Sequence, residues 1–254
     1  MKILKSIAVA FSMYSRIPMP KFNWESEDMK YHLIFFPWIG AIIGGLEFAW
    51  MLCCDKFHIE HFVFTIIAVV IPLMVTGGFH LDGYMDTSDA LASWQDREKR
   101  LEILKDSHIG AFAVIKLCVL GLVLIAAVYS MDNMAFITWL FLFFEARTIS
   151  GICVVTNKKA KKEGLLHTEA RTANDKVVLF CLAGEFIMVC AFAGFYFQWY
   201  WTASLGALLV SVIYYLYTAY TKFGGITGDL AGWFVCNAEV LGAVALAVMS
   251  IAKK

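Results

Sequence analysis

The chain has 254 residues, of which 60% are apolar and 17% charged, and its 21 Lys and Arg are balanced by 21 Asp and Glu. Soluble domains run at roughly 45–50% apolar and about 25% charged, so the apolar excess points to lipid and excludes an intrinsically disordered chain. The even charge balance excludes a generally basic nucleic-acid binder, and a mean hydropathy of +0.69 agrees with a membrane protein.

The first twenty residues, MKILKSIAVAFSMYSRIPMP, hold an apolar run closed by Arg16, Pro18 and Pro20. The run is short and no small-residue cleavage site follows it, so it reads as an interfacial helix with basic ends rather than a signal peptide. A bilayer core of about 30 Å needs about 20 apolar residues in helix. Seven stretches meet or nearly meet that length: 33–54, 62–78, 109–129, 134–155, 177–197, 202–220 and 233–251. The second is the shortest, contains Pro72 and ends in Gly77 and Gly78. The predicted fold is all-α: a polytopic integral membrane helical bundle of about seven transmembrane helices, forming a single membrane domain over 1–254.

Lys and Arg in alternate connections set the orientation, because positive charge is retained in the cytoplasm. Segments 1–32, 79–108, 156–176 and 221–232 carry 5, 4, 6 and 1 of them, against 3 in the remaining connections and the C-terminus. The N-terminus is therefore expected inside and the C-terminus outside. Every long polar loop then lies in the cytoplasm, and a site is expected there in loops 79–108, 156–176 and 221–232.

Segment 76–112, TGGFHLDGYMDTSDALASWQDREKRLEILKDSHIGAF, is the most informative. In a helix, Asp82, Asp86 and Asp89 stand at i, i+4 and i+7, so three carboxylates share one face. A hard divalent cation neutralises such a face, since Mg²⁺ prefers carboxylate oxygens and bridges to substrate phosphates; a solvated acidic helix face is the plainer alternative. Asp96 is a predicted N-cap for the basic piece that follows, where Arg97, Arg100 and Lys105 are either phosphate contacts or ordinary positive-inside residues. Asp106, Ser107, His108 and Gly110 form a polar break before the third span.

The next inner loop, TNKKAKKEGLLHTEARTANDK, clusters Lys158, Lys159, Lys161 and Lys162. These suit a lipid headgroup, or a polyphosphate if the inner loops converge on the acidic helix. KFGGITGDLAGW then supplies glycines around Thr227 and Asp229, which permit close backbone approach to a ligand. Within the spans, Glu47, Glu145, Arg147, Glu185 and Glu239 are costly if they face lipid, so each is expected in the bundle interior. Glu145 and Arg147 point to different sides of their helix and need partners on other spans. Gly40, Gly44 and Gly45 suit close helix packing. The seven cysteines show neither a CxxC pair nor a zinc-ligand spacing, and read as small buried hydrophobes.

Segment 76–112 resembles the signature of the cobalamin synthase family, the membrane-embedded adenosylcobinamide-GDP ribazoletransferases: GG-x-HLDG-xx-DT-x-DAL, a charged helix, then DS-x-IGAF. Further likeness lies in RIP at Arg16 to Pro18, FFPWIGAIIGG at Phe35 to Gly45, Arg147, KKEGL at Lys161 to Leu165, and GGITGD at Gly224 to Asp229 followed by Glu239. His108 stands where many members have Arg. The resemblance implies a late step of cobalamin biosynthesis in a bacterial or archaeal cytoplasmic membrane. In that step α-ribazole or its 5′-phosphate displaces GMP from adenosylcobinamide-GDP, with Mg²⁺ as cofactor. The partners expected are these two substrates and the bilayer, with no nucleic acid and with a homo-oligomer left open.

Phosphoryl transfer needs positioning and neutralisation of charge. The expected metal ligands are Asp82, Asp86, Asp89 and Asp229; the first three, with Asp106, are the catalytic candidates. His80, Ser107, His108, Arg147, Lys158, Lys161, Lys162, Thr227 and Asp229 are the candidate substrate-binding residues. A CDP-alcohol phosphatidyltransferase has overlapping chemistry, but its DG-xx-AR pattern meets Asp86 and Thr87 here. A small-molecule transporter would account for the spans and their buried charges, without requiring three stacked carboxylates.

Overall fold

In lipid a chain can satisfy its backbone only internally, so apolar stretches of this length become helices. The structure is a computed structural model that describes residues 2–20, 23, 26–160 and 175–253. Among these residues nine α-helices follow one another: α1 (Lys2–Tyr14), α2 (Phe36–Phe57), α3 (His61–Thr76), α4 (Phe79–Ala92), α5 (Arg97–Ile103), α6 (Ala111–Ser130), α7 (Asn133–Thr156), α8 (Asp175–Thr218) and α9 (Gly228–Ala252). Two 3-10 turns, Ser26–Met29 and His32–Phe35, precede α2, and a π-helical turn, Ala219–Phe223, ends α8.

Four of the helices begin on a side chain that accepts from otherwise orphaned amides. Glu60 accepts from Phe62 and Val63, Asp132 from Ala135, Thr227 from Leu230, and Asp96 from Lys99, the last as predicted. α6 has no cap of its own at Gly110; its cap comes from α4, as described below. Between α3 and α4 the chain bends by 94° at Gly77 (φ 65°) and Gly78 (φ 84°). Only glycine adopts two such left-handed residues in succession without strain.

α7 lies at the centre, packed against α2, α8 and α9. Gly40 and Gly44 permit this closeness: a Cβ on Gly40 would lie 2.2 Å from the Phe143 carbonyl oxygen, and one on Gly44 2.9 Å from that of Leu140. Gly45 differs from the expectation, since a Cβ there meets nothing within 4 Å.

Among the described residues five helices are long and apolar enough to cross a membrane, and the bent α3–α4 pair makes a sixth candidate. That count takes α8 once, although 44 residues would extend roughly 66 Å if straight, about twice a bilayer core. α8 instead breaks at Gln198 (φ 42°, ψ −108°). Before the break, Leu182 fills the space beside Gly151 near the C-terminal end of α7. At the break, the Tyr200 hydroxyl donates to Asp132 at the N-terminal end of α7. Past it, Tyr220 donates to Asn157 at 3.0 Å, back at the C-terminal end. α8 is thus a helical hairpin, and the described residues pass along the bundle seven times.

The same contacts sort the connections between two ends. One end holds the α3–α4 elbow, α5, residues 157–160 and residues 219–229; the other holds short links at 58–60, 131–132 and near Gln198. Of the cysteines, Cys54, Cys153 and Cys236 are buried as expected, whereas Cys118 is exposed on α6; all seven are free thiols.

Candidate functional site

α4 is short and rich in small residues because one of its faces must meet another backbone. A Cβ on Gly83 would lie 2.7 Å from the carbonyl oxygen of Asp229, and one on Gly232 2.9 Å from that of His80. α4 and the first turns of α9 therefore cross in direct backbone contact, burying Gly83, Thr87, Ser88 and Ala90. Asp82 and Asp86, one turn apart, stand beside Gly83 on α4, with Asp82 exposed and Asp86 half-buried. Asp229 lies in the first turn of α9, where the helix dipole favours negative charge. Three of the four predicted metal ligands thus belong to one crossing.

Asp89 shares their helix face but has another task. Its Oδ2 accepts from the Gly110 amide at 2.5 Å and its Oδ1 from the Ala113 amide at 2.8 Å, so it caps α6 from outside. A Cβ on Gly110 would strike this carboxylate, and so glycine precedes α6. Capping α6 is a task for Asp89 that helical spacing alone did not show.

Other expected residues also find definite places. His80 points away from Asp82, into the bundle: it is 5% exposed, lies 5.6 Å from the Phe36 ring and has an unpartnered Nε2. Arg147 is not presented at the polar end. It is 1% exposed and its Nη1 donates to Glu239 Oε1 and to the Phe143 carbonyl, both at 2.7 Å. The predicted partners on other spans are therefore Glu239 for Arg147 and Trp201, whose Nε1 donates to Glu145 at 3.3 Å, for Glu145. The Thr227 hydroxyl caps α9, accepting from Leu230 at 3.1 Å. Asp106, Ser107 and His108 are exposed on the link before α6. The Asp106 carboxylate accepts from the backbone and then the ring nitrogen of His108, at 3.0 and 2.6 Å, and these bonds hold it below the usual aspartate range.

The loops of the polar end do converge. Lys159 and Ile226 form a parallel bridge, with Ile226 N donating to the Lys158 carbonyl at 2.8 Å and Ala160 N to the Ile226 carbonyl at 2.9 Å. Lys158 is exposed and Lys159 half-buried, and burial pushes the Lys159 amine below its ordinary value. Lys161 and Lys162 lie outside the described residues. The sequence did not assign two further arginines to this architecture. Arg97 of α5 lies over Gly224, its Cζ 2.1 Å from where a Cβ would be, and Arg16 lies over Gly77 in the same way with Nε at 2.5 Å. The signal for both was a glycine with positive φ in a polar loop, which shows that something comes close without showing what.

The donors Asp82, Asp86 and Asp229 are all hard oxygens, the set Mg²⁺ takes. Among the described residues no three His, Cys, Asp or Glu converge tightly enough to hold an ion by themselves.

Fold and site define a polytopic helical membrane protein with a carboxylate-bearing polar end. The family model for cobalamin-5-phosphate synthase matches residues 6–247. The adenosylcobinamide-GDP ribazoletransferase of Lachnoclostridium phytofermentans is 37% identical over 250 residues, covering 98% of this chain and 95% of that protein. Those of Clostridium perfringens and Listeria monocytogenes are 32% and 30% identical, covering 98% and 90% of this chain and 100% and 92% of theirs. No solved structure matches. The chain belongs to the cobalamin-5-phosphate synthase family.

Proposed function

We propose that this protein transfers the adenosylcobinamide phosphate group from adenosylcobinamide-GDP to α-ribazole or its 5′-phosphate. A ribose hydroxyl of the ribazole forms the new P–O bond at the phosphorus carrying the aminopropanol arm. The bond from that phosphorus to GMP breaks, GMP leaves, and the hydroxyl proton passes to a carboxylate of the polar end. The observation that supports this reading is the α4–α9 crossing at Gly83, which sets the Asp229 backbone against the helix that carries Asp82 and Asp86.

Asp82, Asp86 and Asp229 would hold Mg²⁺, which when bound neutralises diphosphate charge and steadies the leaving group. The chain's own part is placement. Gly83 lets Asp229 approach α4, Asp89 fixes α6 beside it, and Lys158 with the neighbouring lysines supplies positive charge toward the nucleotide. The uneven division of Lys and Arg supports a cytoplasmic site, where nucleotide substrates are made.

GMP release by the protein in vesicles, supplied with Mg²⁺, adenosylcobinamide-GDP and α-ribazole, tests the reading. Asp82→Asn and Asp86→Asn should each lower the rate by at least about 10²-fold. Wild-type rates in both, with normal membrane insertion, would remove the metal role, and absence of GMP release by the wild-type chain would remove the activity.

A further inference from the structure

The short helix α5 packs against both the aspartate helix α4 and the π-helical turn Ala219–Phe223 that leads into the glycine loop. Its residues divide between two faces. Glu98, Lys99 and Glu102 are exposed, and Lys99 Nζ pairs with Glu102 Oε2 at 2.7 Å. Arg97, Arg100, Leu101 and Leu104 stand at i, i+3, i+4 and i+7, so they share the other face, where Leu101 and Leu104 pack into the core.

Arginines that served only as positive charge beside a membrane would suit the solvated face, next to Glu98 and Glu102. These two stand on the packed face instead. The Arg97 guanidinium lies against the backbone of Gly224 (φ 73°), where any side chain would displace it. Arg97 is exposed and Arg100 half-buried, so the pair leads from the surface inward, and Arg100 Nε is closed off from solvent without a hydrogen-bond partner. Among the described residues neither guanidinium has a carboxylate partner: Asp96 caps α5, Asp89 caps α6, and Glu102 is held by Lys99. A guanidinium has donors and no acceptor, so an anion satisfies its charge and its N–H groups together.

We propose that Arg97 and Arg100 bind the phosphate that leaves with the nucleotide, which on the transfer reading above is the phosphate of GMP. Two guanidiniums one turn apart can take separate oxygens of one phosphate. Gly224 seats the Arg97 fork, and the chain runs on from Gly224 to Asp229 at the α4 crossing. The diphosphate then lies between two sites, with the carboxylates toward the reacting phosphorus and the α5 arginines toward the departing one. The P–O bond between them breaks, and the arginines offset the charge that GMP gains as it departs.

The test measures GDP binding directly, with Mg²⁺ and without corrinoid or ribazole, by the full chain in phosphatidylcholine nanodiscs. Arg97→Gln and Arg100→Gln should each weaken GDP by about tenfold or more. Arg97→Lys should recover only part of that loss, because an ammonium lacks the planar fork; at an exposed position it also carries the test if Arg100→Gln does not fold. Lys99→Gln, on the solvated face, should stay within about twofold of wild type. Unchanged GDP affinity in the arginine variants, or an equal loss in Lys99→Gln, overturns the proposal. So does a lipid phosphate as the true ligand, seen by native mass spectrometry as phosphatidylglycerol that wild type retains and the arginine variants lose while GDP affinity holds. The two readings fail separately: GMP release by wild type with GDP affinity unmoved by the arginines sinks this proposal alone, whereas arginine-dependent GDP binding without GMP release sinks the transfer reading alone.

Discussion

α6 and α7 are neighbours in sequence, joined by two residues, with 20 and 24 residues each, and they pack in opposite ways. Of the most apolar window, 17% is buried in α6 and 78% in α7. α6 carries a single charge, Lys116, which is exposed, whereas Thr138, Glu145, Arg147, Thr148 and Ser150 of α7 are all buried. In water the more apolar helix would be the buried one. Lipid tails are as apolar as leucine, so burying leucine gains little, and packing together with hydrogen bonding decides what goes inside. The lesson is that polarity within a span marks the core of this protein, and that α6 is held by its ends rather than by its faces.

The sharpest way to break this comparison is at Arg147. Arg147→Met should leave Glu239 buried and unpaired and destabilise the protein by about 3–5 kcal/mol, read as a lowered thermal midpoint in detergent. Adding Glu239→Leu should restore most of the loss. If the single variant melts like wild type, the ion pair is not what fixes α7 to α9. Next in size is the α2 contact: Gly40→Ala should cost about 1–3 kcal/mol because its Cβ meets backbone, while Gly45→Ala, in open space, should stay within about 0.5 kcal/mol.

On the α6 side, Asp89→Ala removes both oxygens that cap the helix and should cost roughly 1–2 kcal/mol. Hydrogen exchange at Gly110 and Ala113 should rise with it, and Asp89→Asn should slow GMP release far less than Asp82→Asn does; equal loss in both would return Asp89 to the metal site. The smallest effect belongs to Asp106. Its folded-state value is depressed by His108, so its contribution is present above the unfolded aspartate value and is lost as pH falls through the folded one. His108→Ala should move the Asp106 titration midpoint, followed by NMR, up toward the ordinary aspartate value.

The spans were legible because lipid imposes length and apolarity on each of them, and even the α8 hairpin showed as a polar interruption, Gln-Trp-Tyr-Trp, between two runs. The shared face of Asp82, Asp86 and Asp89 was legible from helical spacing alone. What spacing cannot give is which neighbour a face meets. Asp89 looked equivalent to Asp82 until α6, 21 residues onward, took both of its oxygens, and Arg147 looked available until Glu239, 92 residues onward, closed on it. Gly45 looked like Gly44 for the same reason, although only one of them touches α7.

The elbow at Gly77 and Gly78 has a consequence for how the reaction meets the membrane. A straight continuation of α3 would carry the aspartates away from the bundle on a stalk. The turn of nearly a right angle lays α4 against the first turns of α9 instead, so that the aspartates stand on a shelf whose floor is protein. Under the proposed function, large polar reactants would be aligned along that shelf without any part of them crossing the membrane.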